Sequence, residues 1–303
     1  MSSALEIPQQ LAFEIERRNR LAVPAFAGGF LYLLSAIIIS GTLNGAPKVG
    51  LLEGLAPALR GEADPAVSPR TQEVKYISRH ALPLITGSVM AAVAIGALTL
   101  TLLLLFDATR FRRAATWAQA RMLVMLGGIA VATVSILHQV ISAVETHKFA
   151  VGHDFTNHAV EQAITQNTVN LVVEYIALLA GLALAVGMIV VMVNALRVGL
   201  VPRWMGILGM FTGLLILLPL GGAELQLVPA LWMVMMGILL IGRWPGGEPP
   251  AWVSGEARPW PTQAQLRAAK QGSGIPGTGD QAPAPVVTTP RSSRKRRKRS
   301  GSE

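Results

Sequence analysis

The chain has 303 residues, of which 51% are hydrophobic and 14% charged, with a mean hydropathy of +0.48 and a formal net charge of +9. That apolar content exceeds what a soluble core of this length needs and is gathered in blocks, which argues against an ordinary soluble domain and for an all-α, polytopic transmembrane bundle. Cysteine is absent, so disulfides, thiolate metal sites and cysteine nucleophiles are excluded together.

Residues 1–20 carry Glu6, Glu14 and Glu16 and no apolar centre, so they are not a secretory signal. Ile7, Leu11 and Ile15 fall on one helical stripe, and Glu14 with Arg18 has an i, i+4 spacing. The segment therefore reads either as an amphipathic cytoplasmic helix on the membrane surface or as a short polar extension. A hydrocarbon layer of about 30 Å needs roughly 20 residues of helix. Six apolar blocks meet or approach that length between residues 21 and 243: 22–41, 81–106, 122–144, 169–196, 204–220 and 225–242. The fifth is the shortest, and it adjoins the sixth across 221–224, which predicts a tight helical hairpin.

The long first connection, about 42–80, is predicted to hold a short helix near 51–59 and then a Pro-, Ala- and acid-rich turn region over 61–70. A second long connection covers about 145–167. Lys and Arg are retained on the cytoplasmic side of membrane proteins, and with both termini placed inside, 20 of the 26 basic residues fall there. The other side receives Lys48, Arg60, Arg70, Lys75, Arg79 and Lys148. Trp117, Trp204 and Trp244 all lie at inner span ends, where an amphipathic ring favours the headgroup zone. Residues 244–303 are poor in large apolar side chains and read as a disordered cytoplasmic tail. The tail ends in seven basic residues out of nine over 291–299, including Arg294, Lys295, Arg296, Arg297, Lys298 and Arg299. Such a run suits anionic lipid headgroups. Specific nucleic-acid recognition is not indicated, because no aromatic is interleaved with the run and no reader module precedes it.

Polar groups inside the spans are where function is sought, because an ionisable side chain there normally faces the bundle interior or water. His138 and Glu174 each lie six residues inward from the predicted outer ends of the third and fourth spans, or roughly 9 Å at about 1.5 Å per residue. Ser135, His138, Ser142 and Glu145 share one face of the third span by 3, 4, 3 spacing. Asn167, Asn170, Glu174, Ala177, Gly181 and Ala185 share one face of the fourth. The two faces are expected to meet, either as a dry clamp between His138 and Glu174 or as a funnel in which they exchange protons or hold a cation. Gln139 and Tyr175 point to other faces and are expected to serve packing.

In the second long connection, Asp154 and His158 are four apart and His158 and Glu161 three apart, so on a helix they share a face. With His153 or His147 they form a candidate divalent-metal set, though without the His-Glu-x-x-His order of zinc hydrolases. The competing expectation is that Asp154 caps a helix starting near Phe155. Phosphate-binding loops, Gly-x-Ser-x-Gly elbows and dinucleotide fingerprints are all missing, and no cofactor is indicated. Gly209 and Gly213, Gly87 and Ala91, and Ala92 and Gly96 are small-residue pairs suited to close helix packing.

The stretch Leu196-Arg-Val-Gly-Leu-Val-Pro-Arg-Trp-Met-Gly-Ile-Leu-Gly209, with Gly28-Gly-Phe-Leu-Tyr-Leu-Leu34, resembles a bacterial six-helix integral membrane family of unknown function. The resemblance implies the six-span order and a Pro-Arg hairpin on the inner side between spans four and five, but no activity or site. Pro202 suits a first helical turn, where its missing N–H is harmless. The sequence thus points to a multi-pass cell-membrane protein acting without catalysis, as an accessory, envelope or sensing component. A small-solute or proton-coupled transporter using His138 and Glu174, working as a homo-oligomer, is the second reading. A metal-dependent membrane enzyme is the third.

Overall fold

The computed structural model describes residues 3–61, 67–164, 168–217, 223–245 and 247–260. In chain order these residues form α1 (Ser3–Asn44), α2 (Leu51–Leu59), α3 (Thr71–Arg79), α4 (Ala81–Arg112), α5 (Gln119–Val151), α6 (Asn157–Ile164), α7 (Thr168–Val198), α8 (Arg203–Leu217), α9 (Ala223–Leu240) and α10 (Pro250–Ser254). No strand occurs among the described residues, only an isolated bridge between Val67 and Phe155. The fold is all-helical. Four stretches are long and apolar enough to cross a membrane: Ile7–Asn44, Ala81–Arg112, Gln119–Val151 and Asn157–Val198. α8 and α9, with 15 and 18 residues, are apolar but reach only roughly 23 and 27 Å at about 1.5 Å per residue. The turn expected at 221–224 lies largely outside the described residues.

The long helices close a ring. α1 packs on α4 and α9, α4 on α5, α5 on α7, α7 on α8, and α8 returns to α9, while α4 also touches α7. Glycines set the tightest crossings. At Gly29 a methyl group would meet the Ala230 carbonyl at 2.6 Å, and at Gly237 it would meet the backbone of Phe26, so α1 and α9 touch nearly backbone to backbone. Gly87 lies against Ile39, and its carbonyl accepts a 2.7 Å hydrogen bond from the Ser35 hydroxyl, joining α4 to α1. Gly209 and Gly213 pack inward, on Met192 with Trp232 and on Ala185, as the small-residue spacing predicts, whereas Gly96 faces open space.

The largest fully buried side chains gather in the half of the ring nearest Arg112 and Arg203, here the basic end. Phe106, Leu184, Met188, Met192, Trp232 and Met236 fill it. The Trp232 indole donates to the Met205 carbonyl at 3.0 Å, which satisfies its only donor in an otherwise apolar setting. At the other end the segments around α2, α3 and α6 form a cap. Ser68 N–H donates to the Phe155 carbonyl at 2.7 Å, the Lys75 ammonium lies 4.0 Å from the Phe155 ring centre, and Val74, Phe149, Val160 and Ala163 make a small separate core. The two long connections therefore fold onto each other, with the short helix expected near 51–59 observed as α2.

Two expectations about the ends of the chain are corrected. Residues 3–20 are not a separate surface helix or a polar extension but the first turns of the 42-residue α1, with Glu14 and Arg18 buried. Chain disorder does not begin at residue 244: α10 is helical, and Ala251 and Trp252 are buried. Residues 261–303, with the basic run, lie outside the described residues. Pro202 is also placed one residue earlier than expected, preceding α8, where its carbonyl accepts the Gly206 N–H at 3.0 Å.

Candidate functional site: a groove between two helices

α5 and α7 meet at the basic end and part toward the cap. A methyl at Gly127 would meet Leu184 N at 2.6 Å and the Ala180 carbonyl at 3.1 Å, and a methyl at Gly187 would meet Val124 at 2.8 Å. Farther along, Gly181 has only the Ile216 carbonyl nearby, at 3.7 Å. The space opened by this divergence is a groove of about 740 Å³, walled by Ser135 and His138 of α5, Glu174, Ala177 and Gly181 of α7, and Ile216 and Leu217 at the end of α8. Its volume lies in the range of small-molecule pockets.

The structure brings His138 and Glu174 into one groove, as their equal depth predicts, but not into a clamp. Glu174 is exposed and His138 half-buried, and among the described residues neither has a hydrogen-bond or ion-pair partner. The remainder of the expected polar face divides. The Ser135 hydroxyl donates to the Ala132 carbonyl at 2.9 Å at the groove wall. Ser142 turns instead, with Gln139, toward a narrow crevice against Ile77, Ala81 and Leu84. Glu145 forms an ion pair with Lys148 at 2.9 Å near the cap. Asn170 is buried with its side-chain oxygen unpartnered, and Asn167 lies outside the described residues. A rigid 3, 4, 3 stripe does not stay on one neighbour, because α5 contacts α7 on one side and α3 and α4 on the other.

Sequence reasoning assigned Tyr175 to packing, yet it is 68% exposed and lines the groove beside Glu174. It also passed over Val131, Val134, Leu171 and Leu178, which make the walls mainly apolar. Their signal was hidden because an apolar side chain in a span looks the same whether it faces lipid, a neighbour or a groove.

The candidate metal set is not assembled. Among the described residues no three His, Asp or Glu side chains converge in a way that could hold an ion. His153, Asp154, His158 and Glu161 are exposed on the rim of the cap, as is His147. Asp154 has the competing role: its Oδ1 accepts the Thr156 N–H at 3.0 Å, while the Thr156 hydroxyl accepts the Ala159 N–H at 3.3 Å and caps α6. The hydrogen bond from the Thr156 backbone, then that from its side chain, holds the Asp154 carboxyl below the usual carboxylate range.

A second polar cluster, unforeseen, lies at the basic end. The Arg112 side chain is fully buried, and all five of its N–H donors are used: Nη1 donates to Glu14 Oε1 at 3.0 Å and Ala108 O at 2.8 Å, Nη2 to Glu14 Oε2 at 2.8 Å and Ala251 O at 2.9 Å, and Nε to Ala251 O at 3.1 Å. Arg18 pairs with Glu248, and the guanidinium carbons of Arg18 and Arg112 lie 5.5 and 5.4 Å from the Trp252 ring centre. Trp252 Nε1 donates to the Leu200 carbonyl at 3.0 Å, and Arg258 N–H donates to the Val198 carbonyl at 3.0 Å. Residues 248–258 thus form a strap across the ends of α1, α4 and α7. Gly199 adopts φ +83°, and a side chain there would collide with the Arg258 carbonyl. All five Arg112 donors are matched here, Arg18 Nε is buried without a hydrogen-bond partner among the described residues, and the contacts tie residues 248–258 to the helix ends. The i, i+4 pairing expected between Glu14 and Arg18 is replaced by these two longer-range pairs.

No protein-family model, curated protein or solved structure matches this chain.

Proposed function

We infer that this is a multi-pass membrane protein that works by binding within the bilayer, as a non-enzymatic sensing or accessory component of the envelope. The observation carrying the reading is the groove between α5 and α7, where a carboxylate and an imidazole stand among apolar walls without a partner among the described residues. Retaining Glu174 in such a setting is costly for a helix that only packs, and a scaffold would bury or pair it. The four long apolar helices are joined in this reading by α8 and α9 as shorter fifth and sixth spans, with both termini cytoplasmic. The distribution of basic residues and the Pro-Arg hairpin resemblance support that placement. The run Arg294 to Arg299 then faces anionic headgroups of the inner leaflet.

Proton-coupled transport through the same groove is the second reading, favoured by one observation: His138 and Glu174 share a wall at one depth without neutralising each other. It demands that α5 separate from α7 at Gly127 and Gly187, where the two backbones now touch.

Because the chain has no cysteine, any introduced thiol is unique. In intact cells, Leu59→Cys is expected to react with a membrane-impermeant maleimide, Ala114→Cys and Ser254→Cys only after permeabilisation, and Ala177→Cys with a lipid-soluble maleimide that reaches the groove from the bilayer. Protection of Ala177→Cys under all conditions short of unfolding would remove the binding reading. Reaction of Ala114→Cys from outside would reverse the topology. In reconstituted vesicles, proton-coupled flux lost in Glu174→Gln would select transport over sensing.

A further inference from the structure

The groove also indicates what class of molecule would occupy it. Among the described residues that line it, Glu174 is the one acidic side chain, and none is Lys or Arg. An anionic occupant would stand against an uncompensated carboxylate, and a neutral lipid tail would leave that carboxylate without a partner in a low-dielectric setting. A cation complements it. Tyr175 adds an aromatic ring, whose negative face suits an ammonium group, and Ser135 and His138 add hydrogen-bonding capacity on the opposite wall. The rest of the lining, including Val131, Leu171 and Leu178, is hydrocarbon. Leu171 and Leu178 are also exposed, so in the proposed placement the apolar walls are open to lipid.

We propose that this groove binds a cationic amphiphile, a protonated aliphatic amine whose ammonium sits at Glu174 and whose hydrocarbon body lies along the α5 and α7 walls, entering sideways from the bilayer. This rests on the binding reading above and specifies its ligand. The about 740 Å³ available accommodates a molecule of that kind.

The test uses the full chain in phosphatidylcholine nanodiscs and two photoreactive probes with the same diazirine-bearing decyl tail, one ending in a primary amine and one in an alcohol. Saturable crosslinks are mapped to peptides by mass spectrometry. The amine is expected to label residues 131–138 and 171–178 at concentrations about tenfold lower than the alcohol, the factor a charge-assisted hydrogen bond supplies. Glu174→Gln should bring the two probes level, Glu174→Asp should keep the preference, and Glu145→Gln, which alters a carboxylate already paired with Lys148, should change nothing. Size-exclusion profiles identify any variant that fails to fold, and Glu174→Asp then carries the comparison.

Equal labelling by amine and alcohol in the native chain would overturn the proposal and leave a lipid crevice. Crosslinks elsewhere, or an amine preference that survives Glu174→Gln, would overturn it as well. So would mapping that placed a second copy of the chain in the groove. If Ala177→Cys reacts freely and the amine is still not preferred, the groove stands and only the ligand class is lost; if Ala177→Cys is sealed, both readings fall.

Discussion

The same two helices, α5 and α7, are in backbone contact near Gly127 and Gly187 and stand apart at His138 and Glu174. Toward the basic end the ring is filled by Phe106, Met188, Met192 and Trp232, and Arg112, buried beside Arg18, has every donor matched. Toward the cap a carboxylate and an imidazole have no partner among the described residues, and α7 exposes Leu171, Tyr175, Leu178 and Leu179. The contrast separates the part of the molecule that holds the fold from the part free to bind. Polar groups are retained at both ends: at one, Arg112 has all five donors matched, and at the other, Glu174 and His138 have no partner among the described residues.

Breaking the basic end should have the largest effect. Glu14→Ala leaves the Arg112 guanidinium buried without its carboxylate and is expected to lower stability by about 3–5 kcal/mol, read as unfolding in mixed micelles. Replacing both partners by apolar residues, Glu14→Leu with Arg112→Met, should recover most of that loss, since no charge is then stranded. Equal losses in the single and double variants would mean that Arg112 serves chiefly to hold Ala251.

The crossing between the two halves comes next. Gly127→Ala drives a methyl into the backbone at Leu184, which is not a flexible side-chain end, and should destabilise by roughly 1–3 kcal/mol. A neutral result would show that α5 slides on α7 with ease, which would strengthen the transport reading. Glu174→Gln should change stability by less than about 0.5 kcal/mol, because the side chain has no partner to lose among the described residues, while removing amine selectivity in the groove.

The smallest effect is in the cap. The Asp154 carboxyl is held below its ordinary value of 3.8, so it contributes stability fully above that value and loses it as the pH falls through its lowered value in the fold. Amide exchange of Thr156 and the first turn of α6 should therefore rise at low pH in the native chain, and Asp154→Asn should flatten that dependence.

Much of this architecture was legible in the sequence. The long apolar blocks appear as α1, α4, α5 and α7, since hydrocarbon-length runs have few other uses. His138 and Glu174, placed at one depth by residue count, both line the groove between α5 and α7. What stayed hidden depended on partners distant in the chain. Glu14 looked like a surface residue of an amphipathic turn, and nothing local announces that it meets Arg112 at a separation of 98 residues. Trp252 sits in a segment rich in Pro and Gly, whose composition reads as chain without a core, and only the neighbouring helix ends supply the surface that orders it. The metal reading failed for a similar reason: spacing can put Asp154, His158 and Glu161 on one helical face only if the helix includes all three, and α6 begins at Asn157.

The strap has a consequence for how the protein is made. Arg112 precedes Ala251 by 139 positions, so its guanidinium cannot complete its set of acceptors until nearly all of the molecule has left the ribosome. A nascent chain halted before residue 248 keeps that cation, and Arg18 beside it, without their last ligands. Fusions and affinity tags are best joined beyond Trp260, after the closing contacts have been made.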